Sequence, residues 1–174
     1  MRKHLKRIAI FGGVLVAGIL VGTAATAVVT TRFGSIADQH YFQHDTNAAW
    51  YNSGAFTNVH NAVAFVRVPR GETRMIDAPF AAESLCEGAA GYCSVRIIVT
   101  DRFGNQTELD PQSGFDFAFD TAASGDGWES HAIERTSDQL TSGRYRVRVQ
   151  AAVVGGANRL RLDDWSLAVA LINP

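Results

Sequence analysis

The chain has 174 residues, 47% of them hydrophobic and 19% charged, enough for one domain plus a targeting segment. Arg2, Lys3, Lys6 and Arg7 are four of its 16 basic residues, and no acid precedes Asp38, so the rest of the chain has 16 − 4 = 12 bases against 17 acids, a balance of −5. A general nucleic-acid binder needs a net basic face to neutralise phosphates, and this balance excludes that class.

The first elements concern address rather than fold. MRKHLKR is a positive leader, and Ile8 to Thr31 follows without a charge. A run of about 20 apolar residues spans a bilayer as a helix, and the positive end stays on the cytoplasmic side. Two outcomes are open for residues 1–31: a signal peptide cut near Ala25-Thr26-Ala27, or an uncut anchor. Gly18 and Gly22 form a GxxxG pair that lets two such helices approach closely, so a homodimer through them is one expectation. Both outcomes put the remainder outside the cytoplasm, on a membrane or secreted. Lys3 and Lys6 are the only lysines, an arginine bias that fits a GC-rich bacterial genome.

Residues 32–60 are polar with scattered aromatics and read as a juxtamembrane stalk, partly helical around 35–50. Trp50, Tyr51 and Phe56 either dock on the domain or form its first strand. From 61 to 174 the pattern is β. NAVAFVRVP stops at Pro69, PRGE turns, and TRMIDAPFAAES follows as a second strand, with a break expected at Pro79.

CEGAAGYC then holds both cysteines, Cys86 and Cys93. Two ligands make a poor zinc site and the spacing is not that of a CxxC redox pair. In an oxidising compartment the expectation is a disulfide stapling a strand-to-strand loop, stabilising by roughly 2.5 kcal/mol.

CSVRIIVT, GFDFAFD, WESHAIER, RYRVRVQAAV and LRLDDWSLAVALI read as further strands. Alternation predicts an inward set of Val63, Phe65, Ile76, Phe80, Val95, Ile97, Val99, Phe115, Phe117, Phe119, Tyr145, Val147, Val149, Trp165, Leu167 and Val169. In the last strand the apolar phase passes from even (Leu160, Leu162) to odd (Trp165, Leu167), which predicts a bulge at Asp163–Asp164. About eight short strands predict an all-β, antiparallel β-sandwich, jelly-roll-like, behind a single N-terminal hydrophobic helix.

Residues able to do chemistry are few. On a helix His40 and His44 would share a face, but HYFQH lacks the glutamate of a hydrolytic HExxH site. Ser130 and His131 are adjacent, so on a strand they point apart and form no dyad. Glu83, Glu129 and Glu134 lack an obvious cleft, and the expectation is a protein that is not an enzyme, with no cofactor. Asp120, Asp126, Asp163 and Asp164 fall in loops or at the bulge and are candidate ligands for a structural calcium.

Arg144, Arg146 and Arg148 face one way on their strand, with Arg96 a candidate neighbour and Trp128 a candidate exposed aromatic. Such a row grips carboxylates or phosphates, unless Asp116, Asp120 or Glu134 on adjacent strands neutralises it. Two functions from different classes follow. One is a binding module for a cell-envelope glycan or anionic polymer. The other is a non-catalytic structural or assembly protein of the cell surface, with a protein partner.

Overall fold

The computed structural model describes residues 30–32, 39–122 and 127–174. The expectations for residues 1–29, Gly18 and Gly22 among them, lie outside the described residues. Among these no helix is long and apolar enough to cross a membrane.

The described residues form ten strands, in order: β1 (Thr30–Arg32), β2 (Gln39–Asp45), β3 (Ala49–Tyr51), β4 (Thr57–Gly88), β5 (Tyr92–Thr100), β6 (Gln106–Glu108), β7 (Asp120–Thr121), β8 (Glu129–Thr136), β9 (Leu140–Val154) and β10 (Ala157–Ile172). Every pairing is antiparallel. One sheet runs from β2 and β3, both beside β10, through β10 to the second half of β4 and then β8. The other runs from the first half of β4 through β9 to β5, with β6 and β7 beyond it. One buried cluster takes Phe80, Leu162 and Trp165 from the first sheet and Val66, Ile97 and Val147 from the second. The fold is therefore an all-β antiparallel sandwich with the core between the sheets.

β4 serves both sheets. PRGE does not end the strand as expected; the pairing with β9 shifts register between Val68 and Thr73 and resumes. Pro69 falls in that irregular stretch, where no ladder bond is asked of it. Gly71 takes a φ of 83° there, which a residue with a Cβ resists. Pro79 lies within the strand rather than breaking it. The ladder to β10 has no partner for Ala78 or Pro79, consistent with the missing proline N–H, while β8 still pairs with both.

The phase of the first half of β4 is opposite to the one expected. Ala62, Ala64, Val66 and Val68 are buried, and Phe65 is 66% exposed. NAVAFVRV is apolar on both parities, so alternation alone is ambiguous. Arg67 shares the parity of Val63 and Phe65, and placing its charge in the core is costlier than exposing one ring. Phe115 is also outside the core: Gly114–Asp116 is a 3-10 turn rather than part of a strand, while Phe119 is buried. The Glu108 carboxylate accepts the Ser113 and Gly114 N–H groups, and the Tyr92 hydroxyl donates to the Phe115 carbonyl, which holds the segment as a loop.

The bulge in β10 is where the phase change requires it. Pairing with β4 shifts between Asp163 and Ser166, and Asp164 takes a φ of 42°. Leu160 and Leu162 before it, and Trp165, Leu167, Val169 and Leu171 after it, are all buried as a result. Cys86 at the end of β4 is disulfide-bonded to Cys93 in β5, with Cα atoms 5.9 Å apart. Just inside that staple, Gly91 at φ 93° lies against the backbone of Val154 and Gly156, where a Cβ would not fit.

Residues 39–45 and 49–51 form strands rather than a partly helical stalk. β2 and β3 extend the edge of β10, and Tyr51 is buried with its hydroxyl accepting the His60 N–H. Burial and that backbone donor act in opposite directions on the Tyr51 phenol, and burial prevails in raising its pKa.

Candidate functional site

The outer face of the β4–β9–β5 sheet divides in two. Toward the start of β5 it is covered. Phe115 stacks on Phe56 with centroids 4.5 Å apart, and the Arg96 guanidinium lies 4.0 Å from the Phe56 centroid. Arg96 also donates to the Gln150 side chain at 2.9 and 2.8 Å and pairs with Glu108 at 3.4 Å. It does not join the row on β9 as a free cation; its neighbours take up its donors.

Toward the end of β5 the same face is open. An open groove of about 770 Å³ lies there, between Gln39–Tyr41 of β2 and the loop Asp101–Gly104. Phe65, Arg67, Arg144 and Arg146 line it from the sheet, and Arg102 from the loop. The register explains the grouping: Arg67 pairs with Arg144, while Phe65 and Thr100 flank Arg146. Arg148 continues the row between Val63 and Ile98.

No carboxylate stands opposite any of these β9 arginines. Among the described residues none of Arg67, Arg102, Arg144, Arg146 and Arg148 has an ion pair, whereas Arg74, Arg96 and Arg159 each have one. Neutralisation by Asp116, Asp120 or Glu134 is therefore not what the register provides. The Thr100 hydroxyl and the Arg146 and Arg148 Nε atoms are buried without a hydrogen-bond partner. Partial burial, and then the neighbouring Arg146 charge, lower the pKa of the Arg148 guanidinium.

Among the described residues one carboxylate stands on the groove wall, and it is already committed. Asp101 accepts the Phe103 and Asn105 N–H groups and the Asn105 side-chain amide. Those donors, the Asn105 amide foremost, lower its pKa. The groove thus combines excess positive charge with an exposed aromatic ring. Its chemistry suits an anion with a ring of its own.

Phe65, expected in the core, and Arg67 and Arg102, not singled out at all, are the groove residues that sequence reasoning missed. The signal for the first two was the arginine two positions after Phe65, which puts both on the solvent face. Arg102 had no such signal, because a turn residue's direction depends on the loop.

Trp128 is exposed, but it belongs to the other sheet's outer face. Arg161 lies over it at 4.7 Å and over Trp50 at 5.4 Å, and Arg159 lies over Trp50 at 4.1 Å while pairing with Glu87 at 2.6 Å. The proposed calcium ligands do not converge either. Leu162 pairs with Ser84 and Asp163 with Glu83, so Asp163 projects from the face opposite Ser84. Asp120 is on the Ser84 side, hydrogen-bonded to the Ser84 hydroxyl at 2.7 Å, and Asp164 is exposed at the bulge. Asp126 lies outside the described residues. His40 and His44 are on strand β2, not on one helix face, and His40 stacks on Phe42.

His131 contacts Ser84 rather than Ser130. Its Nδ1 is 2.9 Å from the Ser84 oxygen and its Nε2 is 3.4 Å from Glu129. A serine, a histidine and carboxylates in series are the set a hydrolase uses, but Ser84 is fully buried and its hydroxyl donates to Asp120. A nucleophile must reach a substrate carbonyl, and this one cannot.

No family model matches the chain, and no curated protein does. Among solved structures, it is similar to the CBM22-1 xylan-binding domain of Xyn10C from Paenibacillus barcinonensis, at 9% identity over 86% of this chain and 82% of that one, TM-score 0.29. It is also similar to TmCBM61 in complex with beta-1,4-galactotriose, at 14% identity over 82% and 88%, TM-score 0.29. A third is a family 29 carbohydrate-binding module complexed with mannohexaose, at 11% identity over 83% and 93%, TM-score 0.28. Likenesses at this level carry no information about what the chain binds.

Proposed function

We propose that this chain is a non-catalytic binding module, displayed outside the cytoplasm on a membrane or secreted, whose groove takes an anionic glycan of the cell envelope. The observation that carries the reading is the contrast among its arginines. Among the described residues Arg74, Arg96 and Arg159, outside the groove, are held by Glu72, Glu108 and Glu87, whereas Arg67, Arg102, Arg144 and Arg146, which line it, have no ion pair. Arg144, Arg146 and Arg148 repeat about every 6.7 Å along β9, a spacing that lets successive guanidiniums meet successive charges on a polymer. Carboxylate or phosphate groups accept the two parallel N–H donors of a guanidinium, and Phe65 offers a flat apolar face to a sugar ring.

The scaffold supports the reading. The strand orders β2-β10-β4-β8 and β4-β9-β5-β6 form an antiparallel sandwich with β4 shared between the sheets, and each sheet has an outer face on which side chains can be displayed. The Cys86–Cys93 bond supports an extracytoplasmic location, where thiols are oxidised. The N-terminal apolar run would supply the tether or the export signal.

The test is affinity electrophoresis of the full chain through gels containing polygalacturonate or, as the neutral control, galactan. Retardation by the acidic polymer alone, weakening as salt rises, is the expected result. Equal retardation by both polymers, or by neither, would sink the proposal.

The assembly reading draws on one different observation. On the other outer face Phe42 is 43% exposed beside Pro79, Ala81, Ala132 and Ala168, an apolar surface that a second copy would cover. A Phe42→Arg chain that stays monomeric where the parent dimerises would favour it.

A further inference from the structure

At the edge of the sandwich away from the groove, three potential ligands from two sheets come together. Asp120 is on β7, while Glu129 and His131 are on β8, and one donor atom from each lies within 4.8 Å of the others. Asp120 is 7% exposed as a residue, and among the described residues the Ser84 hydroxyl is the only hydrogen-bond donor to its carboxylate. Its second oxygen has no donor among the described residues and stays open to solvent or a ligand.

Proton counting sharpens this. Ser84 has one hydroxyl hydrogen, which it gives to Asp120 at 2.7 Å. Its contact of 2.9 Å with His131 Nδ1 must then be a bond that the ring nitrogen donates. The other ring nitrogen, Nε2, lies 3.4 Å from the Glu129 carboxylate. Ligand atoms on a tetrahedral zinc ion with bonds of about 2.0–2.1 Å stand about 3.3–3.4 Å apart, which matches this separation. The ring is also oriented as metal-bound histidines are, with its other nitrogen donating to a fixed oxygen.

We propose that Asp120, Glu129 and His131 bind a divalent first-row transition metal of the zinc class, with Ser84 as the positioning residue that fixes both Asp120 and His131. An imidazole nitrogen with two carboxylates favours zinc or cobalt over calcium, which takes oxygen ligands in greater number. The site joins β7 of one sheet to β8 of the other, so the ion would clamp the sandwich at this edge. It would also anchor Trp128, the residue before Glu129.

The experiment is a titration of the chelator-stripped full chain with Co²⁺, followed by its visible absorption. One Co²⁺ per chain is expected, with the intense bands of four- or five-coordinate cobalt. Zn²⁺ should displace it, while Ca²⁺ at equal concentration should not. His131→Ala should abolish the spectrum. Glu129→Gln, at an exposed position that folding does not require, should weaken binding by at least about tenfold, and Ser84→Ala by about 10–100-fold. Far-ultraviolet circular dichroism would establish that each variant is folded, and if His131→Ala is not, Glu129→Gln decides. Absence of the spectrum overturns the proposal. Unchanged binding in His131→Ala and Glu129→Gln overturns it too, since the ion would then sit on other histidines, and so does equal displacement by Ca²⁺.

Discussion

Each outer face of the sandwich carries a file of arginines on its central strand, and the two files differ in what stands beside them. On β10, Arg159 is register-paired with Glu87 and covers Trp50, and Arg161 lies between Trp50 and Trp128. On β9, Arg144 is paired with Arg67, Arg146 with Phe65, and Arg148 with Val63. The first file is used within the molecule. The second keeps its charge available. An arginine's type and exposure are the same in both files; the residue one strand away decides its role.

The largest expected effect tests that contrast directly. Arg144→Glu with Arg146→Glu should lower affinity for polygalacturonate by about 100-fold or more, since each charge-assisted contact is worth about 1.5–3 kcal/mol. Arg159→Glu, on the opposite face, should leave it within about twofold. Calorimetry of the three chains would measure this, and equal losses would erase the distinction between the faces.

Next in size is a separation of stability from binding. Cys93 and Thr100 are at opposite ends of β5, about 23 Å apart along the strand. Replacing Cys86 and Cys93 by alanine should cost about 2.5 kcal/mol in urea unfolding and leave affinity untouched. A loss of affinity would mean that the two ends of the sheet are coupled. Phe65→Ala should show the reverse: affinity lower by several-fold, in line with about 0.5–1.5 kcal/mol for an aromatic contact, with no drop in melting temperature. Trp50→Ala, on the other face, should lower the melting temperature and spare binding.

The smallest effect concerns Asp45, at the edge where β2 meets β10. Burial alone would raise its pKa. Hydrogen bonds from the Asn47 backbone and side chain and from the Asn61 side chain together outweigh it, and the net direction is down. A carboxyl with a depressed folded pKa contributes stability that is present above its unfolded value, about 3.9, and is lost as the pH falls through the folded value. The parent should therefore lose more stability than Asp45→Asn on acidification below about pH 4, as followed by thermal melts. Parallel acid profiles would remove Asp45 from the account.

Residue pattern alone was sufficient for the all-β class, the Cys86–Cys93 bond and the bulge at Asp163–Asp164. Each rests on something local: two-residue alternation, two cysteines at loop-closing distance, and apolar positions that change parity within one strand. The groove was half legible. Arg144, Arg146 and Arg148 stand out because three charges at alternate positions must share a face. Their lack of partners could not be read, because it depends on strand order and register, and a shift of one residue would bring different side chains across.

Three matters were left to tertiary structure. Phe65 sits in an apolar run that satisfies alternation in either phase, and the choice was made by which face could bear Arg67. Phe115 sits in a segment that alternates like a strand, yet Glu108 and Tyr92 bind its backbone first. Asp120, Glu129 and His131 meet because β7 and β8 belong to different sheets brought together by the packed core between them, and such a meeting leaves no trace in spacing along the chain.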